Sequence, residues 1–503
     1  MTGYLLGIDA GQTVTKAVLV DAATGRELAV GQARVPTSSP HPRWVERDMA
    51  EVWRGCVRAV RAVLTGVDAA RVRAVGLCGH NDGCYPVDAA LRPVRPAVLA
   101  MDSRAHEQVR HFQDTGVAEA ALPLTGQSPF PASPSAVQSW LLAHEPESVA
   151  RTRWMLFCKD WLRLCLTGEP ATDPTEASAS FTDVRTQAYS EAALALYGLA
   201  ALAGKQPPIL PSAAVAGRVT ARAAGATGLP EGTPVATGAH DVDAGALGMG
   251  AVTPGAASIV MGTFSINQVV TDEVHLDHRW QARTFLHPGH WLAMSTSPAS
   301  SSNLEWLVRT LCPEAATASA EAHGDPFAFV AAEVESSTRD DLPFYLPFLF
   351  GAPHPTPGPA ASGTFLGLRG WHTRGDLLRA LWEGVALNHR THLHALREAF
   401  PFTTPARLSG GGTRSPAWTQ LLSDTLELPL ELTGGDEPGA RGAALLAGIA
   451  TGHFADLPEA AMTAEVVRVQ EPREKGVARM RARAEEYRSA IAALGSWWRG
   501  RDS

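Results

Sequence analysis

The chain has 503 residues, more than one hydrophobic core ordinarily supports, so two domains of roughly 200 to 250 residues are expected. With 45% hydrophobic and 19% charged residues it reads as globular rather than disordered. A net charge of -8, from 43 basic and 51 acidic side chains with the arginines scattered among acids, speaks against nucleic-acid binding, and no apolar run approaches the ~20 residues that span a bilayer. Cys56, Cys78, Cys84, Cys158, Cys165 and Cys312 form no CxxC pair and keep no regular spacing. They read as free thiols of a reducing compartment, and with no leader-like segment before Tyr4 a cytoplasmic location is expected.

Residues 4–35 read as a hairpin or meander, with apolar runs at 4–8 and 17–20 and a turn-rich segment at 21–25. Met49, Val52, Trp53, Cys56, Val57, Val60 and Val63 then recur three or four apart, which predicts an amphipathic helix over 48–63. A strand over 72–77 runs into the polar loop Gly79-His80-Asn81-Asp82-Gly83. Strands that end in polar loops and alternate with helices predict an α/β domain with ligands bound beyond the strand ends. The segment 171–186 reads as polar and turn-forming, and 200–234 as loops before a strand at 235–237. Domains are expected over 1–240 and 241–455, followed by an extension over 456–503. The second half restarts the same grammar with a strand at 258–261, a helix over about 373–396 and another opening at Ser415-Pro416, where serine caps and proline occupies the first turn. Two halves built alike imply a bilobal enzyme with a cleft. An arginine-rich helix over about 471–498 reads as a solvated face in preference to a packing arm.

Several segments can carry chemistry. In Asp9-Ala10-Gly11-Gln12-Thr13 a carboxylate beside a glycine turn can hold hydrated Mg²⁺ while backbone N–H groups meet phosphate oxygens, although a plain hairpin turn looks the same. Asp241, in Gly238-Ala239-His240-Asp241-Val242-Asp243, can take the proton of an attacking hydroxyl, or Asp241 and Asp243 can merely cap a helix; His240 reads as structural. Gly262-Thr263 and Gly410-Gly411-Gly412 permit close approach of a phosphate or a flat ring. His80, Asn81, Asp82, Asp102 and Arg104 offer the paired donors and acceptors that a polyhydroxyl ligand needs. Trp44, Trp140 and Trp161 fit core packing better than sugar stacking.

Taken in order, YLLGIDAGQTVTKAVLVD, VATGAHDVDAGALGMG, SIVMGTFS, LSGGGTRSPAWTQLLSDTLELPL and EPGARGAALLAG resemble the FGGY carbohydrate kinases, over about residues 4–455. The resemblance implies two ribonuclease H-like domains of the actin and hexokinase type, closing over ATP·Mg²⁺ and a small sugar or polyol, with a homodimer as the family expectation. It assigns Asp9 to the metal and phosphates, Gln12 and Thr13 to the phosphate loop with Lys16 near it, and Asp241 to the catalytic base. Gly262 and Thr263 fall on the second phosphate motif, and Gly410 to Gly412 on the adenosine side. Asp102 and Arg104 match a D-x-R of the substrate region, where Ala100 replaces the usual tryptophan, and Asp160 falls in a K-D-x-L segment as a structural acid. Xylulokinases typically carry Gln-Met-His-Gly where this chain has His80-Asn81-Asp82-Gly83. Glycerol kinases typically carry Asn-Gln-Arg-Glu across 79–82 and a glutamine at the place of Val242. Gly79-His80 resembles the L-xylulose kinase-like members, which implies a pentulose, another ketose or a tetritol. The alternatives are an actin-like or heat-shock-type ATPase, a non-catalytic sugar-sensing protein and, more narrowly, an erythritol- or glycerol-type polyol kinase. The polar set from His80 to Arg104 speaks against the first, and the presence of both Asp9 and Asp241 against the second. Without a GxGxxG after the first strand, a dehydrogenase is poorly supported.

Overall fold

The computed structural model describes residues 3–312, 326–352, 358 and 360–500. Strand β1 (Tyr4–Ala10) runs through Asp9 itself, turns over residues 11–13 and returns as β2 (Val14–Asp21), with Asp9 opposite Lys16; β3 (Glu27–Arg34) completes the expected meander. Helix α1 (Met49–Val63) buries the predicted stripe, and the Asp48 carboxylate accepts the N–H groups of Ala50 and Glu51 as its N-cap. Strand β4 (Val72–Gly79) lies parallel to β1 and sets Cys78 beside Asp9. Helix α2 (Cys158–Thr167), strands β5 (Val215–Arg218) and β6 (Pro234–Ala236), and helix α3 (Asp241–Gly248) follow. The sheet order is β3-β2-β1-β4-β6-β5, and Ala239–His240 adds to the far end of β4. Asp9, Gly79 and His240 therefore share the carboxyl edge of the parallel strands, where open α/β sheets bind ligands. The stretch 200–234 holds more order than its loop-like composition predicts, since β5 and a helix at Ala221–Thr227 lie within it.

The second lobe repeats the pattern. Its strands are β7 (Ala256–Met261), β8 (Ser265–Thr271), β9 (Gln281–Thr284) and β10 (Trp291–Ser297), then β11 (Thr403–Ser409), β12 (Leu430–Thr433) and β13 (Val466–Gln470). Their order is β9-β10-β8-β7-β11-β12-β13, and β7 is antiparallel to β8 but parallel to β11, as β1 is to β2 and β4. Among its helices are α4 (Arg374–Ala399), α5 (Pro416–Leu426), α6 (Pro438–Ala450) and α7 (Glu474–Arg499). Thr373 and Asp376 form a capping box on α4, and Ser415 caps α5.

Helix α6 joins the lobes. It follows β12 in the chain but lies on β1 and β4 of the first sheet and against α3, so Leu5, Val18, Leu445 and Leu446 share one core. The approach is closer than any side chain allows. A Cβ on Gly7 would lie 1.7 Å from the Ala440 carbonyl oxygen, and one on Gly442 equally close to that of Ala244. Glycine is required at both places by contact.

The terminal helix corrects the expectation of a solvated face. On α7, Met480, Ala484, Tyr487 and Trp498 are buried against Leu346, Phe348 and Leu387. Arg483 is buried too, with Nε 3.1 Å from Glu383 Oε2 and its remaining nitrogens donating to the Leu342 and Pro343 carbonyls. A long arginine stem packs as an apolar residue when its head finds acceptors, so charge count alone misjudged this helix.

Candidate active site

The two sheets set their loops against each other around Asp9 and Asp241. Asp9 has one carboxylate oxygen, Oδ1, buried with no hydrogen-bond partner. Burial pushes its pKa up to about 6, against the pull of Lys16, with Glu437 adding to the rise and the Cys78 thiol opposing it. Lys16 reaches from β2 to Glu437 at the start of α6, Nζ to Oε2 2.6 Å, which ties the two lobes beside that carboxylate. Beneath the turn at residues 11–13, buried Arg47 donates to the carbonyl of Gln12, while Thr13 is exposed at the tip.

Asp241 is the first residue of α3, at a helix N-terminus that favours negative charge. Burial, then the nearby Asp9, drives its pKa well above the usual carboxylate range, although its side chain keeps 31% exposure. His240 Nε2 lies 3.2 Å from Asp241 Oδ1, and His240 Nδ1 lies 3.2 Å from Asp243 Oδ2. Below them the segment read as a polar turn, 171–186, is largely interior: Thr172, Asp173, Thr175, Glu176, Ser178, Ser180 and Thr182 are all buried. Lys159 pairs with Asp160 at 2.7 Å and Asp173 at 2.9 Å, and both oxygens of Glu176 lie buried without a hydrogen-bond partner. This polar platform carries the start of α3, since the His240 N–H donates to Thr175 Oγ1.

The loop after β4 brings His80, Asn81 and Asp82 to the same edge. His80 bonds Tyr85 through Nε2 at 3.1 Å, and burial depresses its pKa to about 4. Asn81 keeps a buried Nδ2 without a partner, and Asp82 has a left-handed backbone (φ 68°). Facing Asp82 from β9 is Arg283, a residue the sequence did not single out, with Nη2 to Asp82 Oδ1 at 3.4 Å. Gln281 holds the same guanidinium at 2.8 and 3.0 Å, leaving Nη1 buried without a partner. Nothing local marks Arg283 or Glu437, because their partners lie on the other lobe.

Asp102 and Arg104 are buried together a little apart. Asp102 accepts from the Val45 N–H at 2.6 Å and from Arg104, and Arg104 also pairs with Glu46 at 2.8 Å over the faces of Trp44 and Trp140. Of this group only Arg104 Nη1 lacks a partner besides the distal Arg95 Nη1. Trp161 donates its indole N–H to the Met49 carbonyl, a core role. On the second lobe, Gly262 and Thr263 follow β7 and their carbonyls accept the N–H groups of Ser301 and Ser300. The three glycines after β11 divide in function. Cβ atoms on Gly410 and Gly412 would collide with Met261 at 2.5 and 2.2 Å, whereas one on Gly411 meets nothing closer than 3.7 Å. Two surface grooves of about 220 and 280 Å³ lie elsewhere, between α4 and its neighbours, and are lined by paired charges such as Arg390 and Glu427.

Two repeated sheets, a helix crossing between them, the carboxylates of Asp9 and Asp241 at one edge of the first sheet and glycine turns at the strand ends of both lobes define a two-lobed phosphotransferase of the actin and hexokinase type. Models of the FGGY carbohydrate kinases match here, the N-terminal domain over residues 4–248 and the C-terminal domain over 257–451. The chain is 34% identical to the L-xylulose/3-keto-L-gulonate kinase of Escherichia coli (strain K12), over 92% of this chain and 91% of that protein. It is 32% identical to a probable L-xylulose kinase of Pasteurella multocida (strain Pm70), over 98% and 99%. The crystal structure of xylulose kinase from Rhodospirillum rubrum superposes with a TM-score of 0.86 at 28% identity, covering 99% of this chain and 100% of that one. The chain belongs to the FGGY family of carbohydrate kinases, and it is an ATP-dependent carbohydrate kinase. Among the described residues no helix is long and apolar enough to cross a membrane.

Proposed function

We propose that this kinase phosphorylates a hydroxyl of a pentulose, in the manner of an L-xylulose kinase, with Mg²⁺ as cofactor and in the cytoplasm. The observation that carries the reading is the placement of Asp241: a part-exposed carboxylate on the floor of the cleft, among buried carboxyls, with Asp9 close enough to raise its pKa. The two L-xylulose kinase relatives at 34% and 32% identity over nearly the whole chain support the pentulose. The six cysteines are free and buried, which suits a reducing compartment.

The orphaned Oδ1 of Asp9 fits a hydrated Mg²⁺, and no cluster of three or more acid, histidine or cysteine ligands exists among the described residues. That matches an ion that keeps its waters and binds through one or two carboxylates and the nucleotide. When bound, Mg²⁺ neutralises charge on the phosphoryl oxygens. The protein supplies the remainder. Asp241 accepts the proton of the sugar hydroxyl as that oxygen bonds to the γ-phosphorus and the bond to the ADP oxygen breaks. Backbone N–H groups at residues 11–13 and 262–263 face the transferring charge from opposite lobes, with Gln12, Thr13 and Lys16 at the rim. His80, Asn81, Asp82, Arg283 and the free nitrogen of Arg104 orient the sugar, and Gly411 leaves room for the nucleoside. Closure of the lobes excludes water as a competing acceptor.

The test is coupled ADP release with ATP and Mg²⁺ across both enantiomers of xylulose and ribulose, with lyxose, fructose, erythritol, arabitol and glycerol, followed by mass analysis. A strong preference for one pentulose with a gain of one phosphoryl group is expected. Preference for erythritol or glycerol would overturn the pentulose assignment, and ADP release indifferent to every acceptor would overturn the sugar-kinase reading of the site.

A further inference from the structure

The imidazole of His240 lies between two carboxyl groups, 3.2 Å from Asp241 on one side and 3.2 Å from Asp243 on the other. Its place is fixed from behind. The His240 N–H donates to Thr175 Oγ1 at 2.8 Å, that hydroxyl donates to Asp173 at 2.8 Å, and Asp173 pairs with Lys159 at 2.9 Å. Asp243 is fully buried, and its second oxygen has no partner. His240, the N-cap residue, makes no side-chain bond to the first turn of α3; the Asp241 carboxylate meets the Val242 N–H and that of Asp243 its own N–H, contacts that do not account for the imidazole between them.

A neutral imidazole has a single N–H, so the state of one flanking carboxyl decides which nitrogen holds it. Burial, with Arg283, His80 and Lys159 around it, keeps His240 neutral. Burial, then the neighbouring Asp173 and Asp241 against Arg283, raises Asp243 well above the carboxylate range. A protonated Asp243 donates to Nδ1 and leaves the ring hydrogen on Nε2, facing Asp241. The groups acting on Asp241 itself are Asp9 from β1, Asp82 from the loop after β4 and Arg283 from β9, with the backbone N–H of Val242; Cys78 and Glu176 are raised in turn by Asp241. Most of these disfavour a carboxylate at the position where the reaction needs one.

We propose that His240 and Asp243 are positioning residues for phosphoryl transfer, presenting a neutral Nε2–H donor that holds Asp241 as a carboxylate and turns its other oxygen to the substrate hydroxyl. The proposal rests on Asp241 being the base. A small rotation of the carboxylate converts the 3.2 Å separation into a hydrogen bond, as catalytic contacts commonly tighten when substrate binds. No proton passes beyond Asp241 during transfer: the hydroxyl proton goes to the free oxygen, and His240 keeps its own.

The test uses full-length His240→Leu, His240→Gln and Asp243→Val proteins and the pH dependence of kcat with the preferred sugar. A hydrogen bond to the charged form is worth about 1 to 2 pK units, so the acid limb of His240→Leu should move up by about that amount. Its KM for ATP should stay within about threefold, and turnover should recover in part at high pH. Glutamine puts an amide N–H near the place of Nε2, so His240→Gln should restore the limb without a titratable ring, and Asp243→Val should shift it in the same direction as leucine. An unmoved acid limb in a folded His240→Leu protein overturns the proposal. So does a His240→Gln limb that matches leucine rather than wild type, and this comparison stands even if the leucine protein does not fold. Loss of activity in Asp241→Asn, measured alongside, reports separately on the base; full activity there sinks the underlying reading instead.

Discussion

Arg283 on the second lobe meets Asp82 on the first across the cleft, Nη2 to Oδ1 3.4 Å, over a separation of 201 positions in the chain. The pair is buried on the Arg283 side and carries one guanidinium nitrogen with no partner, so it binds the lobes together and keeps a donor in reserve. Replacing Arg283 with methionine leaves Asp82 uncompensated where burial already raises its pKa. Uncompensated buried charges and unmade polar contacts of this kind cost on the order of 10²-fold, so kcat/KM for the sugar should fall by about that factor with KM for ATP nearly constant. A double-mutant cycle with Asp82→Asn checks it, and additive losses would show that the two side chains act independently.

Burial pushes the Asp9 carboxyl up to a pKa of about 6 in the folded protein, from an ordinary 3.8. The folded state therefore binds the proton more tightly than the unfolded one. The stability this group lends is full below its unfolded pKa and is lost as pH rises through about 6. Asp9→Asn should raise the Tm of the unliganded protein near pH 7.5, with much less gain near pH 4.5, while turnover falls by roughly 10²- to 10³-fold. Thermal unfolding at the two pH values decides it; equal gains at both would place the strain elsewhere.

Gly410 and Gly411 should respond differently to alanine. At Gly410 (φ 104°) an added Cβ lies 2.5 Å from the Met261 backbone, so Gly410→Ala should cost stability by about 1–3 kcal/mol. Gly411 has open space, so Gly411→Ala should fold normally and raise KM for ATP alone. Denaturant midpoints beside nucleotide affinity separate the two effects.

The crossing of α3 and α6 gives the sharpest steric prediction. A Cβ at Gly442 would lie 1.7 Å from the Ala244 carbonyl oxygen, with backbone on both sides and no flexible side chain to yield. Gly442→Ala should destabilise by about 3 kcal/mol or more and broaden the unfolding transition as the lobes lose their common core. A single sharp transition within a degree of wild type would show that the helices can part without cost.

Much of the local structure was legible because its causes are local. The stripe from Met49 to Val63 and the cap at Ser415-Pro416 need only neighbours in sequence, and both elements formed where the pattern put them. The glycine turns were legible as turns, yet the reason for Gly410 and Gly412 is Met261, some 150 positions earlier. Residues 171–182 misled for the opposite reason. Serine, threonine and acids there suggested a surface turn, but inside the lobe Asp173 takes Lys159, Thr175 and Ser212 as partners. Polarity marks a surface only when partners are absent, and partners are a property of the fold. Arg283 and Glu437 lay beyond reach for the same reason, and so did the burial of Arg483 on α7.

The position of α6 also constrains how the chain comes into being. Strands β1 and β4 leave the ribosome long before the helix that covers their glycine-bearing face, Pro438–Ala450, has been made. Until then the nascent first lobe exposes an apolar sheet face with no occupant, which is the condition under which partly made chains aggregate or recruit chaperones. A fragment ending before residue 438 should accordingly be insoluble on its own and be rescued by co-expression of the remaining segment. The carboxyl edge that bears Asp9 therefore reaches its final form only after α6 has been made and has docked on the first sheet.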